Sequence, residues 1–284
     1  SKSPPALTTE DVTVFFDALL PLLIRRDEIA GAVVAVVKDG RVLFAKGYGY
    51  ADVAARRPVS ADATLFRVAS ISKLFTWTAV MQLVEQGKLD LDRDVNLYLD
   101  FQIPATYPQA ITLRHLMTHT PGFQMASPDH SRWPGTDLLP LKEYLLKYLP
   151  PRIFPPGSTP AYSNYGAALA GYIVQRVSGQ PFEEYVAEHI FRPLGMAHST
   201  FVQPLPNALK PMMSQGYGLA SESAGQFFLV PGSPAGSLYT TATDMARFML
   251  AHLKDGSQLY LVPSLHLGFF ISQNSSGRSG RCTM

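Results

Sequence analysis

The hydrophobic positions near the N-terminus change from a helical period to a strand period. Thr8 or Thr9 is the predicted N-cap of a first helix, because acidic residues follow in its first turn. One side of this helix is apolar and carries Val12, Phe15, Phe16, Leu19, Leu22 and Leu23. Two runs rich in Val and Ala, 32–37 and 42–48, then flank Asp39-Gly40. An Asp-Gly pair between two apolar runs predicts an antiparallel hairpin.

From Ser70 onward the apolar spacing is helical over most of the middle of the chain. The predicted helices are 70–86, 112–117, 141–149, 165–177, 182–190 and 244–253. Gly87 and Gly179 follow two of them and are typical helix C-caps. Residues 199–236 are rich in Pro, Gly and Ser, which predicts a long loop region. Two predicted strands, 258–262 and 267–272, come last.

This order of elements predicts an α+β fold, in which the N- and C-terminal segments share one antiparallel sheet flanked by helices. We expect a single domain over 1–284, with a sheet lobe formed by about 8–60 and 230–284. The intervening residues, about 61–229, form a mainly helical inserted lobe. A cleft between two such lobes is the expected position of a functional site.

Composition narrows the classes of function. The chain has 284 residues, 46% of them hydrophobic, and a net charge of +2. A nucleic-acid partner is not expected, because no basic stripe occurs. Cys282 is the only cysteine, and the seven histidines show no metal-binding spacing, so we expect neither a metal nor a cofactor. No apolar stretch approaches the roughly 20 residues of a membrane span.

The candidate nucleophile is Ser70, at the start of a predicted helix and three residues before Lys73. Residues three apart share a helix face, so the Lys73 amine can approach the Ser70 hydroxyl. A serine becomes a nucleophile when a neighbouring group takes its proton, and a lysine of lowered pKa can do so. About 0.7 Ser-x-x-Lys matches are expected by chance in such a chain, and a capping serine followed by a solvated lysine is the structural alternative.

A second candidate motif, Tyr162-Ser163-Asn164, precedes the helix predicted from 165. Only about 0.2 chance matches to Tyr-x-Asn are expected. A tyrosine near Lys73 could shuttle a proton, and the Asn164 amide could bind a substrate carbonyl or hold Lys73. The alternative for Tyr162 is a half-buried aromatic residue with a satisfied hydroxyl. His119 lies in a turn between two threonines, and we interpret it as a structural hydrogen-bonding residue.

Four segments resemble serine β-lactamases of class C and their relatives, which include penicillin-binding proteins, D-aminopeptidases and family VIII esterases. Residues 66–73 resemble the family's nucleophile motif, 113–122 its following helix and turn, 160–166 its second motif, and 193–196 a recurrent turn. The resemblance runs from about residue 10 to Gly277. It implies acylation of Ser70, general acid and base roles for Lys73 and Tyr162, and substrate contact by Asn164.

The sequence departs from this family at the third motif, Lys-Thr-Gly or His-x-Gly, which binds substrate and supplies an oxyanion donor. The literal match is His266-Leu267-Gly268, but we assign His266 to the turn between the two final strands. Lys254-Asp255-Gly256 and Arg278-Ser279-Gly280 are weaker substitutes. The motif strand is expected between Gly256 and Ser257 and is not found there. Losing one oxyanion donor typically costs about 10² to 10³ in rate.

Three hypotheses follow. The first is a serine hydrolase that cleaves small esters or amides through acyl-Ser70, with carboxylesterase favoured over β-lactamase or D-Ala peptidase. A β-lactam is a further candidate substrate. The second is a catalytically impaired or non-catalytic relative with a binding or assembly role. The third is an internally truncated enzyme, joined at Gly256–Ser257. A lost sheet strand favours self-association, and the family's habit favours a periplasmic or secreted location.

Overall fold

The computed structural model describes residues 6–125, 138–254 and 267–274. The strands are β1 (Gly31–Lys38), β2 (Arg41–Asp52), β3 (Arg57–Pro58), β4 (Phe66–Arg67), β5 (Tyr239–Thr240) and β6 (Leu267–Gln273). The longer helices are α1 (Thr9–Arg26), α2 (Ser72–Glu85), α5 (Asn164–Ser178) and α9 (Ala242–Lys254). The shorter helices are α3 (Leu113–Met117), α4 (Leu141–Lys147), α6 (Phe182–Val186), α7 (Arg192–Leu194) and α8 (Ser233–Gly236).

The N-terminal helix and hairpin form as the sequence predicts. Thr8 is the N-cap of α1, and its hydroxyl accepts from the Asp11 N–H at 3.1 Å while the Asp11 carboxylate accepts from the Thr8 N–H at 2.9 Å. This reciprocal capping box satisfies two donors that the first helical turn leaves open. Asp39 and Gly40 have φ of 49° and 75°, the left-handed values that a two-residue hairpin turn requires.

Both ends of the chain meet in one sheet of order β3-β2-β1-β6, with β6 antiparallel to β1. Successive side chains of β1 point to opposite faces. Val34 and Val36 therefore pack against α1, whereas Val33, Ala35 and Val37 belong to the larger core. The predicted α+β fold is confirmed. The division into two lobes stays a prediction, and the strand predicted at 258–262 lies outside the described residues.

The segment predicted as one helix over 182–190 is interrupted. It forms α6, then a wider π-helical turn over Ala187–Phe191, and then α7. Pro193 has no N–H to donate to the carbonyl of His189. That carbonyl accepts from Gln82 Nε2 instead, at 3.1 Å, which ties the turn to α2.

Two properties of the described part of the chain bear on function. Among these residues, no helix combines the length and apolar character needed to cross a membrane. No group of three or more His, Cys, Asp and Glu side chains within the same residues could hold a metal ion.

Candidate active site

Ser70 lies in a 3₁₀ turn, Ala69–Ile71, just before α2 rather than inside it. The helix predicted from 70 therefore begins two residues later, at Ser72. The turn follows β4, which pairs with β5, and the Val68 N–H continues this pairing by donating to Leu238 O at 3.0 Å. Ala69 has φ of 47°, a left-handed conformation that is costly for a residue with a side chain. The backbone is thus held in an unusual conformation directly before the candidate nucleophile.

Lys73 extends from the first turn of α2 and is 4% exposed. Its Nζ lies 3.2 Å from Ser70 Oγ, 2.8 Å from Asn164 Oδ1 and 2.7 Å from Ala235 O. The two fixed acceptors are neutral. Burial therefore dominates and lowers the pKa of Lys73 from 10.5 to about 7.

The same three contacts suit an uncharged amine. A neutral lysine has two N–H donors and one lone pair. Ala235 O and Asn164 Oδ1 are acceptors only, so they take the two donors. The lone pair then remains for the hydroxyl proton of Ser70, which is the arrangement a general base requires.

Tyr162 approaches Ser70 from the segment before α5. Its hydroxyl donates to Ser70 Oγ at 2.5 Å, and its ring centroid lies 4.7 Å from Lys73 Nζ. Burial raises the pKa of Tyr162, against a smaller opposing effect of its hydrogen bond to Ser70. The phenol is therefore protonated at neutral pH, and Ser70 Oγ lies between a proton acceptor and a proton donor.

Asn164 is the first residue of α5, and the hydroxyl of Ser163 caps this helix by accepting from the Gly166 N–H at 2.9 Å. Asn164 is exposed, and its Oδ1 contacts Lys73. Of the two roles that the sequence left open, holding Lys73 is the one seen in this structure. Binding a substrate by Asn164 stays a prediction.

The contact of Lys73 with Ala235 was missed by the sequence reasoning, which placed this region in a long loop. Residues 233–238 instead run along the first turns of α2. Thr76 Oγ1 donates to Pro234 O at 2.7 Å, and the Leu238 N–H donates to Ser72 Oγ at 3.0 Å. A side chain at Gly171 of α5 would overlap Pro234, so this glycine permits the approach. Gly171, inside the helix predicted over 165–177, was a sequence signal for such an approach.

The sequence match to the third motif falls partly at the start of β6. Leu267 and Gly268 begin β6 and pair with Lys38 and Val37, next to the turn between β1 and β2. His266, the side chain of Lys254 and residues 278–280 lie outside what the structure describes. The described hydrogen bonds of Lys73 to residues outside the two motif serine and tyrosine side chains go to Asn164 Oδ1 and Ala235 O.

The N-terminal hairpin and the C-terminal strand β6 share one sheet, and the residues of the Ser-x-x-Lys and Tyr-x-Asn motifs are in contact. This is the arrangement of serine β-lactamases and penicillin-binding proteins. The family model described as Beta-lactamase matches residues 16–273, and the chain belongs to this family. Members of the family are typically serine hydrolases.

Two curated relatives and one solved structure illustrate the range of the family. The chain is 30% identical to Esterase EstB of Burkholderia gladioli, over 87% of this chain and 71% of that protein. It is 31% identical to a Beta-lactamase of Yersinia enterocolitica, over 85% of this chain and 59% of that protein. The octameric penicillin-binding protein homologue from Pyrococcus abyssi superposes with a TM-score of 0.78 at 22% identity, covering 94% of this chain and 75% of that chain. This last likeness shows the fold.

Proposed function

We propose that the chain is a serine hydrolase that cleaves small ester or amide substrates through a covalent acyl-Ser70 intermediate. The observation that carries this proposal is the contact of Ser70 Oγ with both Lys73 Nζ and the Tyr162 hydroxyl. The structural alternative was a capping serine followed by a solvated lysine. Lys73 is only 4% exposed, so it is not the solvated lysine of that alternative. Burial of an amine without a carboxylate partner costs stability, which favours a functional reason for it.

In the proposed acylation, Lys73 Nζ takes the hydroxyl proton while Ser70 Oγ forms a bond to the substrate carbonyl carbon. The carbonyl π electrons move to oxygen. Collapse of this oxyanion breaks the bond to the leaving group, which takes the phenol proton of Tyr162. The ammonium of Lys73 then restores the phenol, so both side chains regain their starting protonation. Water attacks the acyl-enzyme by the same steps in reverse.

We further propose an ester as the preferred substrate, over a β-lactam or a D-Ala peptide. An activated ester has a good leaving group and depends less on a carboxylate anchor of the third motif. Asn164 has its amide N–H donors available for a substrate carbonyl, since no described residue accepts from them. The names of the relatives include both an esterase and a β-lactamase, so they support the hydrolase class and leave the ester preference as our proposal.

The test compares hydrolysis of p-nitrophenyl butyrate and nitrocefin by the wild type, Ser70→Ala and Ser158→Ala. Ser158 is an exposed serine and provides the matched control. We expect ester hydrolysis that Ser70→Ala abolishes and Ser158→Ala retains, with a mass increase on Ser70 after reaction with a phosphonate. In the wild type, kcat/KM rises with pH through about 7, because Lys73 must lose its proton to act as a base.

No hydrolysis above Ser70→Ala, from a folded protein that the phosphonate also fails to label, would reject the hydrolase. A non-catalytic binding or assembly role and an internally truncated enzyme are then the remaining hypotheses. Self-association is a separate proposal, supported by the octameric state named for the Pyrococcus abyssi homologue. Sedimentation of the purified chain tests it, and a monomer at all concentrations would exclude it.

A further inference from the structure

His119 makes contacts to three consecutive residues around the tyrosine of the site. Its carbonyl oxygen accepts from the Ala161 N–H at 2.7 Å, and its Nδ1 accepts from the Ser163 N–H at 3.2 Å. Between these two bonds lies Tyr162, whose ring centroid is 4.5 Å from that of His119. The histidine thus binds the chain on both sides of Tyr162 and packs against its ring.

The backbone conformation of His119 and the packing of Trp77 against its ring also hold this residue in position. Its backbone has φ of 55°, in the left-handed region, so this turn after α3 holds a costly conformation. Trp77 of α2 packs edge-on against the ring at 6.4 Å. Trp77 is one helical turn beyond Lys73, so both point from the same face of α2 towards this part of the site.

The hydrogen bond to Ser163 requires one protonation state of His119. Nδ1 can accept only if it carries no proton, so the neutral ring has its proton on Nε2. Burial lowers the pKa of His119, and the charge of Lys73 lowers it further. The ionisable groups that face this ring are Lys73 from α2 and the Tyr162 phenol. Neither stabilises an imidazolium, so the ring stays neutral and continues to accept.

We propose that His119 is a positioning residue that fixes the Tyr162 phenol on Ser70 by binding the chain before and after the tyrosine. This inference rests on the proposed function, in which Tyr162 gives its proton to the leaving group. His119 itself touches neither Ser70 nor the reacting atoms. Its loss lets Tyr162 move from Ser70, and a displacement of about 1 Å can lower a rate by about 10²-fold.

Two variants of similar polarity separate the contacts. His119→Asn keeps an acceptor at the position of Nδ1, whereas His119→Gln moves the acceptor to the position of Nε2. Both remove the ring. If the hydrogen bond to Ser163 positions the tyrosine, His119→Gln loses activity relative to the wild type, whereas His119→Asn retains most of it. Equal losses in the two variants, with equal thermal stability, would overturn the assignment to this bond.

The choice of substrate separates positioning from general damage. Ethyl butyrate releases an alkoxide, which needs the Tyr162 proton, whereas p-nitrophenolate leaves without one. The quantity measured is kcat/KM, which reports acylation. We expect His119→Gln to lower kcat/KM by about 10²-fold for ethyl butyrate and only a few-fold for p-nitrophenyl butyrate. A merely structural role would lower both equally.

A double variant completes the test. On a Tyr162→Phe background, His119→Gln should cause no further loss with ethyl butyrate, because the group it positions is absent. Additive losses would overturn the proposal. If Tyr162→Phe alone shows no dependence on the leaving group, the proposed role of Tyr162 fails, and this failure is distinct from that of His119.

Amide hydrogen exchange gives a readout that does not depend on activity. The Ala161 N–H is bonded to the His119 carbonyl, which every variant keeps, whereas the Ser163 N–H is bonded to the His119 side chain. The Ser163 amide should therefore exchange slowly in the wild type and report on the loss of Nδ1. We expect faster exchange in His119→Gln than in His119→Asn. Unchanged protection in His119→Gln would overturn the proposal even if the wild type proved inactive.

Discussion

The buried Lys73 is expected to make the stability of the protein depend on pH, and replacing it with methionine should remove this dependence. Methionine is of similar length and carries no charge, so Lys73→Met isolates the cost of burying the amine. Ala235 O and Asn164 Oδ1 each lose a donor in this variant. Each lost hydrogen bond costs about 1 kcal/mol at every pH. The pH-dependent part of the difference therefore comes from the titration of Lys73.

The sign follows from the two states of the lysine. The folded protein holds its pKa at about 7, against an ordinary value of 10.5 that we assign to the unfolded chain. Below pH 7 the amine is protonated in both states, and folding carries the whole cost of burying the charge. The gap between the two pKa values corresponds to about 5 kcal/mol. Between pH 7 and 10.5 the unfolded chain binds the extra proton, so the wild type gains stability as the pH rises.

The assay is urea unfolding of both proteins from pH 6 to pH 9. At pH 6 the variant avoids the cost of about 5 kcal/mol for burying the charge but loses about 2 kcal/mol with its two hydrogen bonds. Lys73→Met should therefore be more stable than the wild type by about 2 to 3 kcal/mol at pH 6. This advantage should fall by about 2.5 kcal/mol by pH 9. Lys88→Met, the same substitution at an exposed lysine that follows α2, is the matched control.

A stability difference for Lys73→Met that stays constant from pH 6 to pH 9 would refute the reasoning. It would mean that the amine keeps an ordinary affinity for protons despite its burial. Lys73 would then be charged at neutral pH, and its role as the general base would have to be abandoned.

Three further predictions concern the residues that hold the site and the fold. Gly171→Ala should lower stability by about 1 to 3 kcal/mol and reduce ester hydrolysis, because the added methyl group pushes Pro234 away from α5. Gly216→Ala is the control and should change neither, because its added methyl group would have no neighbouring atom within 4 Å. Asp244→Asn should cost about 2 to 4 kcal/mol in urea unfolding, since the fully buried carboxylate accepts from two residues before β5 and from an arginine. Thr8→Ala should cost about 1 kcal/mol, measured as a lower urea midpoint, because α1 loses its N-cap.

Local chemistry made much of this protein predictable from its sequence. Thr8 followed by Asp11 defines a capping box, and Asp39-Gly40 defines a hairpin turn, because both depend on residues adjacent in the chain. The apolar pattern likewise predicted the α+β fold with both chain ends in one sheet. The spacing of Ser70 and Lys73 indicated their approach, since it is set within one or two helical turns.

Only the tertiary structure decided the contacts between residues that are far apart in the sequence. Ala235 O binds Lys73 across 162 positions, and it is a backbone group that no side-chain pattern could identify. The burial that lowers the pKa of Lys73 likewise depends on α5 and α8 packing against α2. The same holds for His119, whose bonds to Ala161 and Ser163 join two turns that the sequence separates. Sequence determined which chemical groups were present, and packing determined their protonation and their partners.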